Sequence, residues 1–371
     1  MRTLLVTGPG GAGSSTLAVA AAVQAARAGQ RTTLVARRRP PVDGLNAVPG
    51  LTVVVVDTQV AVERFWAAHV DALAAVLPQL DLPPASSVAA LPGSAELALL
   101  AELGRVDADV LVVDAGPLDA ALSLVGLPAA LRSWLDQLLP TRLRALAAFS
   151  GALGAAGAAL AAVPAIERLL DGSRLADPSS TATVLTAQAR GGAALALRRA
   201  VPALALHGLR PAAVVARVLP EGSGEWWAAR AAEQAGELAA LTELAPLTAV
   251  PEAAVLPRDA DGVAALLPAV DAAPWTGAPA TDRTDAGWEL AVPLPFAERA
   301  DHQLTRFGDD LVLTVAGARR AVRLDALLRR CSVTGGRLDD AGTDSARLVV
   351  GFAPDPRLWP ADLLAAHGSA S

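Results

Sequence analysis

Residues 4–26 read LLVTGPGGAGSSTLAVAAAVQAA: an apolar run, a glycine-rich turn, then an alanine-rich stretch free of helix breakers. The run TLLVT at 3–7 predicts a buried strand, and 14–28 predicts a helix. Between them Gly8, Gly10, Gly11 and Gly13 permit a tight loop whose backbone N–H groups converge, and the helix N-terminus adds positive potential. The pattern describes a phosphate cradle with Ser14, Ser15 and Thr16 at its mouth. Ser15 or Thr16 offers a hydroxyl to a phosphate or to a magnesium ion. A P-loop also carries a lysine that reaches the β- and γ-phosphates, and here that position is Ser14. The same glycines equally serve a tight strand-to-helix turn that the fold itself needs, so these residues leave nucleotide binding open.

Outward from this unit, strands and helices alternate. QRTTLVARR at 30–38 gives a second strand and completes a βαβ unit. LTVVVVD at 51–57 gives a third, followed by a helical segment over 58–78. DVLVVDAGP at 109–117 has the continuous apolar pattern of a buried parallel strand, with Asp114 at its exit. TATVLTAQ at 181–188 and RPAAVVARVLP at 210–220 read as two more. The alternation predicts an α/β fold with a doubly wound, mostly parallel sheet over 1–271. Residues 272–286 read as a linker. From 287 to 356 the pattern changes to short strands and turns, a small β-sandwich domain, and the tail 357–371 is expected to fray. Asp114 has two readings: a carboxylate capping the turn after its strand, or a magnesium-side group for a bound nucleotide.

Composition removes several function classes. The longest basic run is Arg37–Arg39 and the net charge is -6, so no nucleic-acid partner is expected. One cysteine, Cys331, excludes a disulfide framework and a thiolate cluster. Four histidines, His69, His207, His302 and His367, lack ligand spacing, so no metal site is assigned. The N-terminus reads as a strand and turn rather than a signal peptide, which predicts a cytoplasmic protein. Residues 145–166 carry no charge over a length that would span a bilayer. Their alanine and glycine content, and a proline, argue instead for helices of a soluble domain or for an apolar surface that meets a client or partner. Membrane association is expected to be peripheral at most.

The loop GPGGAGSST at 8–16 resembles the deviant P-loop of the ArsA group of P-loop ATPases, of the form G-K-G-G-x-G-K-[ST]-T. Pro9 and Ser14 stand where that group has lysines. LPGSAELALLAEL at 91–103 resembles its LPG-x-x-E segment. The stretch 109–140 resembles its switch II segment, with Asp114 and Pro117 in the matching positions and Leu118 and Asp119 replacing a Thr-Gly pair. AAVVARVLP at 212–220 resembles its V-V-x-N-R strand; Ala216 replaces the base-contacting asparagine and Arg217 is retained. RRRPPVD at 37–43 replaces the switch I motif, and Asp43 is shifted from the water-orienting aspartate and is not assigned that role. Residues 294–331 are similar to the small-heat-shock-type β domain attached to many bacterial members.

The resemblance implies ATP or ADP with magnesium as the ligand, held by Gly8, Gly10, Gly11, Gly13, Ser14, Ser15, Thr16, Asp114 and Arg217. It also implies a dimer, either of identical chains or with a catalytically intact paralogue. Phosphoryl transfer is mostly positioning and charge stabilisation, and each lost charge contact in a dry site costs about 3 kcal/mol, roughly a hundredfold in rate. Two lysines, an aspartate and an asparagine are missing, with Arg37, Arg38 and Arg39 as candidate replacement cations. The expectation is therefore a pseudo-ATPase with no catalytic residues, acting as a protein-binding or regulatory subunit. The alternatives are an active ATPase of the anion-transport or membrane-protein-targeting type and a module whose β domain carries the interaction. A dinucleotide oxidoreductase is disfavoured because Ala36 and Arg37 stand where an acid would end the second strand. One cysteine cannot build the three-thiol arsenite site of the pumps.

Overall fold

Strand β1 (Arg2–Gly8) is buried at every position after Arg2, as an unbroken apolar run flanked on both sides must be. The computed structural model describes residues 1–76, 81–138, 167, 170, 175, 177–267, 270, 272–300 and 302–359. The charge-free segment 145–166 lies outside the described residues. The first domain runs β1, α1 (Ser14–Arg27), β2 (Thr32–Ala36), β3 (Leu51–Val55), α2 (Thr58–Val76), α3 (Ser94–Leu103), β4 (Val110–Pro117) and α4 (Leu118–Leu138). It continues with β5 (Thr181–Gln188), α5 (Ala193–Leu206), β6 (Pro211–Val218), α6 (Glu225–Thr242), β7 (Leu247–Pro251) and α7 (Ala260–Leu266), helices being numbered among the described elements.

Seven parallel strands form one sheet in the order β3-β2-β4-β1-β5-β6-β7. Alternate residues of each central strand face opposite layers. Leu4, Val6, Val110 and Val112 pack on α1 and α7, whereas Leu5, Leu111, Val113 and Leu185 pack against α3, α4, α5 and α6. The result is the α/β, P-loop-NTPase-like sandwich that the alternation predicts. Leu118–Gln137 is long and apolar enough by composition to cross a bilayer, yet its Ala121, Leu124 and Val125 are core residues. The sequence reading assigned no strand to Leu247–Pro251, which forms the sheet's edge beside β6.

The C-terminal module has seven strands: β8 (Ala280–Thr284), β9 (Gly287–Pro293), β10 (His302–Phe307), β11 (Asp310–Val315), β12 (Ala318–Arg323), β13 (Cys331–Asp339) and β14 (Arg347–Pro354). They form two antiparallel sheets, β10-β11-β12 and β13-β14-β9-β8, which share a core of residues such as Val292, Leu313, Val350 and Phe352. Strand β8 pairs with β9 from Ala280↔Ala291 to Thr284↔Gly287. The sheet thus starts inside the 272–286 stretch read as linker, because a strand with four of its five residues exposed needs only its backbone ladder and carries little apolar signal.

The two domains exchange core residues. Phe296, from the β module, is buried in the cluster of the first domain, and Leu206, the last residue of α5, is buried in the cluster of the β module. Phe296 takes a left-handed φ of 63°, rare for a bulky residue; its N–H donates to the Thr343 carbonyl at 2.7 Å. Phe296→Ala is expected to cost about 3–5 kcal/mol. Because the loss falls on a shared core, scanning calorimetry should resolve separate unfolding of the two domains in the variant and one transition in the wild type. A single, merely shifted transition would contradict the reciprocal packing.

Candidate functional site

The glycine loop leaves β1 between β4 and β5. Val6 lies opposite Asp114 and Gly8 opposite Pro117, so the loop and the exit of β4 are neighbours. Thr7 Oγ1 donates to the Gly116 carbonyl at 2.9 Å, and Thr186 Oγ1 donates to the Thr7 carbonyl at 3.3 Å. At Gly8 there is no room for a side chain: a Cβ would meet Thr186 Oγ1 at 2.2 Å and its carbonyl oxygen at 2.3 Å. The turn closes with the Ala12 N–H donating to Pro9 O at 3.0 Å. Gly11 and Gly13 sit at φ 81° and 95°, conformations that disfavour any other residue. Gly10 is exposed at the apex.

Helix α1 begins without a side-chain cap and without an acid in its first turn. Its first helical hydrogen bond runs from Leu17 N–H to Gly13 O at 2.9 Å, so the N–H groups of Ser14, Ser15 and Thr16 precede it at the positive end of the helix. Among the described residues, two other α-helices start after a left-handed glycine, and both have a carboxylate near that end. Glu237 accepts from Gly192 and Ala194 N–H at the start of α5, at 2.9 and 2.8 Å. Glu96 lies in the first turn of α3. The backbone of the loop thus suits an anion.

Cations are another matter. Arg37, at the end of β2, pairs with Glu96 at 2.7 Å, both side chains being mostly buried. That engagement takes Arg37 out of the set of replacement cations; the sequence could not reveal a partner 59 positions away. Arg38 and Arg39 are exposed, and β2 lies two strands from β1, about 10 Å. Asp43 bridges to Asp259, beside the Asp261–Arg27 ion pair at the far end of α1, and so stands away from the loop. Asp114 is buried and accepts the Gly116 N–H at 3.2 Å. Arg217 is the penultimate residue of β6, two strands from β1 on the other side. Its Nε is 3.9 Å from Glu252, and Ala216 beside it is fully buried. The structure therefore gathers residues 8–16 with Asp114 and leaves Arg217 apart. Among the described residues, no cluster of three or more His, Cys, Asp or Glu is arranged to hold a metal.

The comparisons with known proteins agree on kinship. Residues 42–270 match the family described as Anion-transporting ATPase, and residues 285–352 match the HSP20-like domain found in ArsA. The uncharacterized protein SCO2128 of Streptomyces coelicolor is 37% identical over 397 residues, covering 97% of this chain and 99% of that one. Protein Rv2184c of Mycobacterium tuberculosis is 28% identical over 420 residues, covering 97% of each. The chain belongs to the ArsA family of anion-transporting ATPases.

In this ArsA-family chain the helix that leaves the Asp114 strand runs directly to the HSP20-like domain, a feature that motif reading missed. Asp136 on α4 faces Arg323 on β12 at 3.5 Å. Arg320, also on β12, donates through Nη1 to the Leu206 carbonyl at 2.7 Å, a cation at the C-terminal end of α5 where the helix dipole favours one. The only sequence signal was the arginine run of β12, Arg319, Arg320 and Arg323.

His207 follows Leu206 and is buried at this joint. A Cβ at Gly126 of α4 would lie 3.3 Å from its Nε2. Burial, and then the charge of Arg320, lower its pKa to about 4. The unfolded chain therefore binds a proton that the native state refuses between pH 6.5 and 4. The stabilisation from neutral His207 is complete above that window and is lost as pH falls through it, by on the order of 3 kcal/mol. Urea denaturation at pH 7 and pH 5 should show about 2 kcal/mol of this loss in the wild type and a much flatter response in His207→Gln. Equal acid sensitivity in both would remove His207 as the cause.

Proposed function

We propose that the chain is a pseudo-ATPase of the ArsA family, a cytoplasmic protein-binding or regulatory subunit that works as a dimer. The partner is an identical chain or an intact ArsA-type paralogue, which in the second case supplies the catalysis. The observation that carries this reading is the contrast at the loop. The backbone keeps the anion-receptive path with its left-handed glycines, while Pro9 and Ser14 occupy the cationic positions and the nearby Arg37 is engaged by Glu96. Backbone donors alone suit binding of a phosphate. Hydrolysis needs concentrated positive charge where the transferred group develops its own, and the residues here do not fit that requirement. The apolar stretch 145–166 supports a surface for a partner or hydrophobic client.

The alternative, an active ATPase of the anion-transport or membrane-protein-targeting type, requires turnover from this chain alone. The test is phosphate release from Mg·ATP by the purified full chain, with its mass in solution measured in parallel. The expected result is release at background level from a particle of dimer mass, or from a monomer that pairs with the intact paralogue. Turnover that disappears in Asp114→Asn would overturn the proposal in favour of the active enzyme.

A further inference from the structure

Between α5 and the β module lies a cavity of about 490 Å³ that the proposed function does not use. One wall is a single helix face: Leu195, Arg198, Arg199 and Pro202 recur at i, i+3, i+4 and i+7. The opposite wall includes Phe296 and the Ala316–Gly317 turn. Among the described residues, three non-glycines have positive φ, and two of them, Phe296 at 63° and Ala316 at 47°, line this cavity. Backbone strain concentrates at binding sites because the surrounding structure holds it there for a purpose.

The charges in the cavity are unevenly committed. Arg198 is fixed in place. Its Nη1 meets Glu243 at 2.9 Å, its Nη2 donates to the Gly342 carbonyl at 2.6 Å, and its guanidinium lies 4.7 Å from the centre of the Phe296 ring. Arg199 beside it is exposed and has no partner among the described residues. Glu298 is the one acidic lining residue, and with Arg198 engaged by Glu243, Arg199 is the uncommitted cation of the lining.

We infer that this cavity binds a small organic anion, a carboxylate or phosphate on an apolar body, with Arg199 as the ion-pairing group. The size is that of an ordinary small-molecule site. The fixed Arg198 holds the helix wall against Phe296, and Leu195 and Pro202 cover the apolar part. An occupant would touch α5 and the β module together, so it would tie the two domains at the joint where Leu206 and Phe296 are exchanged.

The test is ligand-observed NMR on the full chain with phenyl phosphate as the probe and benzyl alcohol as the neutral control. The expected result is millimolar or tighter binding of phenyl phosphate only, weakened at least tenfold by Arg199→Ala and tightened about threefold by Glu298→Gln. Both substituted side chains are exposed, so both variants should keep the wild-type melting temperature without ligand. Absence of phenyl phosphate binding would overturn the inference. So would binding that Arg199→Ala leaves unchanged, since the anion would then sit elsewhere, the glycine loop included.

Discussion

The contact on which the rest of the first domain depends is the approach of Gly8 to Thr186. With a Cβ only 2.2 Å from Thr186 Oγ1 and 2.3 Å from its carbonyl, nothing but glycine lets β1 end beside β5. Thr7 at the same level is held on both sides, to Gly116 and to Thr186. That packing sets where the loop begins, aims α1 across the sheet, and puts Asp114 beside the loop. None of it requires a nucleotide. The sheet therefore needs this glycine whether or not a lysine stands at position 9 or 14.

The arginines of this chain serve joints. Arg37 closes on Glu96, Arg198 bridges to the 342 turn, Arg210 reaches Asp344 at 2.5 Å, and Arg320 caps the end of α5. Three of these four span the boundary between the α/β domain and the HSP20-like domain. Together with the exchanged Phe296 and Leu206 they tie the β module to α5, while Asp136 and Arg323 tie it to α4. Helix α4 follows the strand that carries Asp114, beside the glycine loop.

The parallel sheet was legible because buried strands of this kind are uninterrupted apolar runs: β1, β4, β5 and β6 declare themselves in TLLVT, VLVVD, TATVLTA and AAVVARV. The short edge strand β7 and the exposed β8 were not, since an edge needs little burial and ATDRT offers none. Residues 8–16 and Asp114 were readable as neighbours through their family pattern. The neutralisation of Arg37, the left-handed Phe296 and the Arg320 cap were not, because each depends on groups brought together from distant parts of the chain. The cavity beside Arg199 is of the same kind: its walls come from two domains.

In the proposed function the loop has the backbone path of a phosphate cradle without cations at positions 9 and 14. Calorimetric titration of the full chain with Mg·ATP, beside the Pro9→Lys/Ser14→Lys double variant, tests it most directly. Binding to the wild type is expected to be at best millimolar, with at least a tenfold gain when lysines are placed on the intact cradle. Micromolar binding by the wild type, with no gain in the variant, would contradict it.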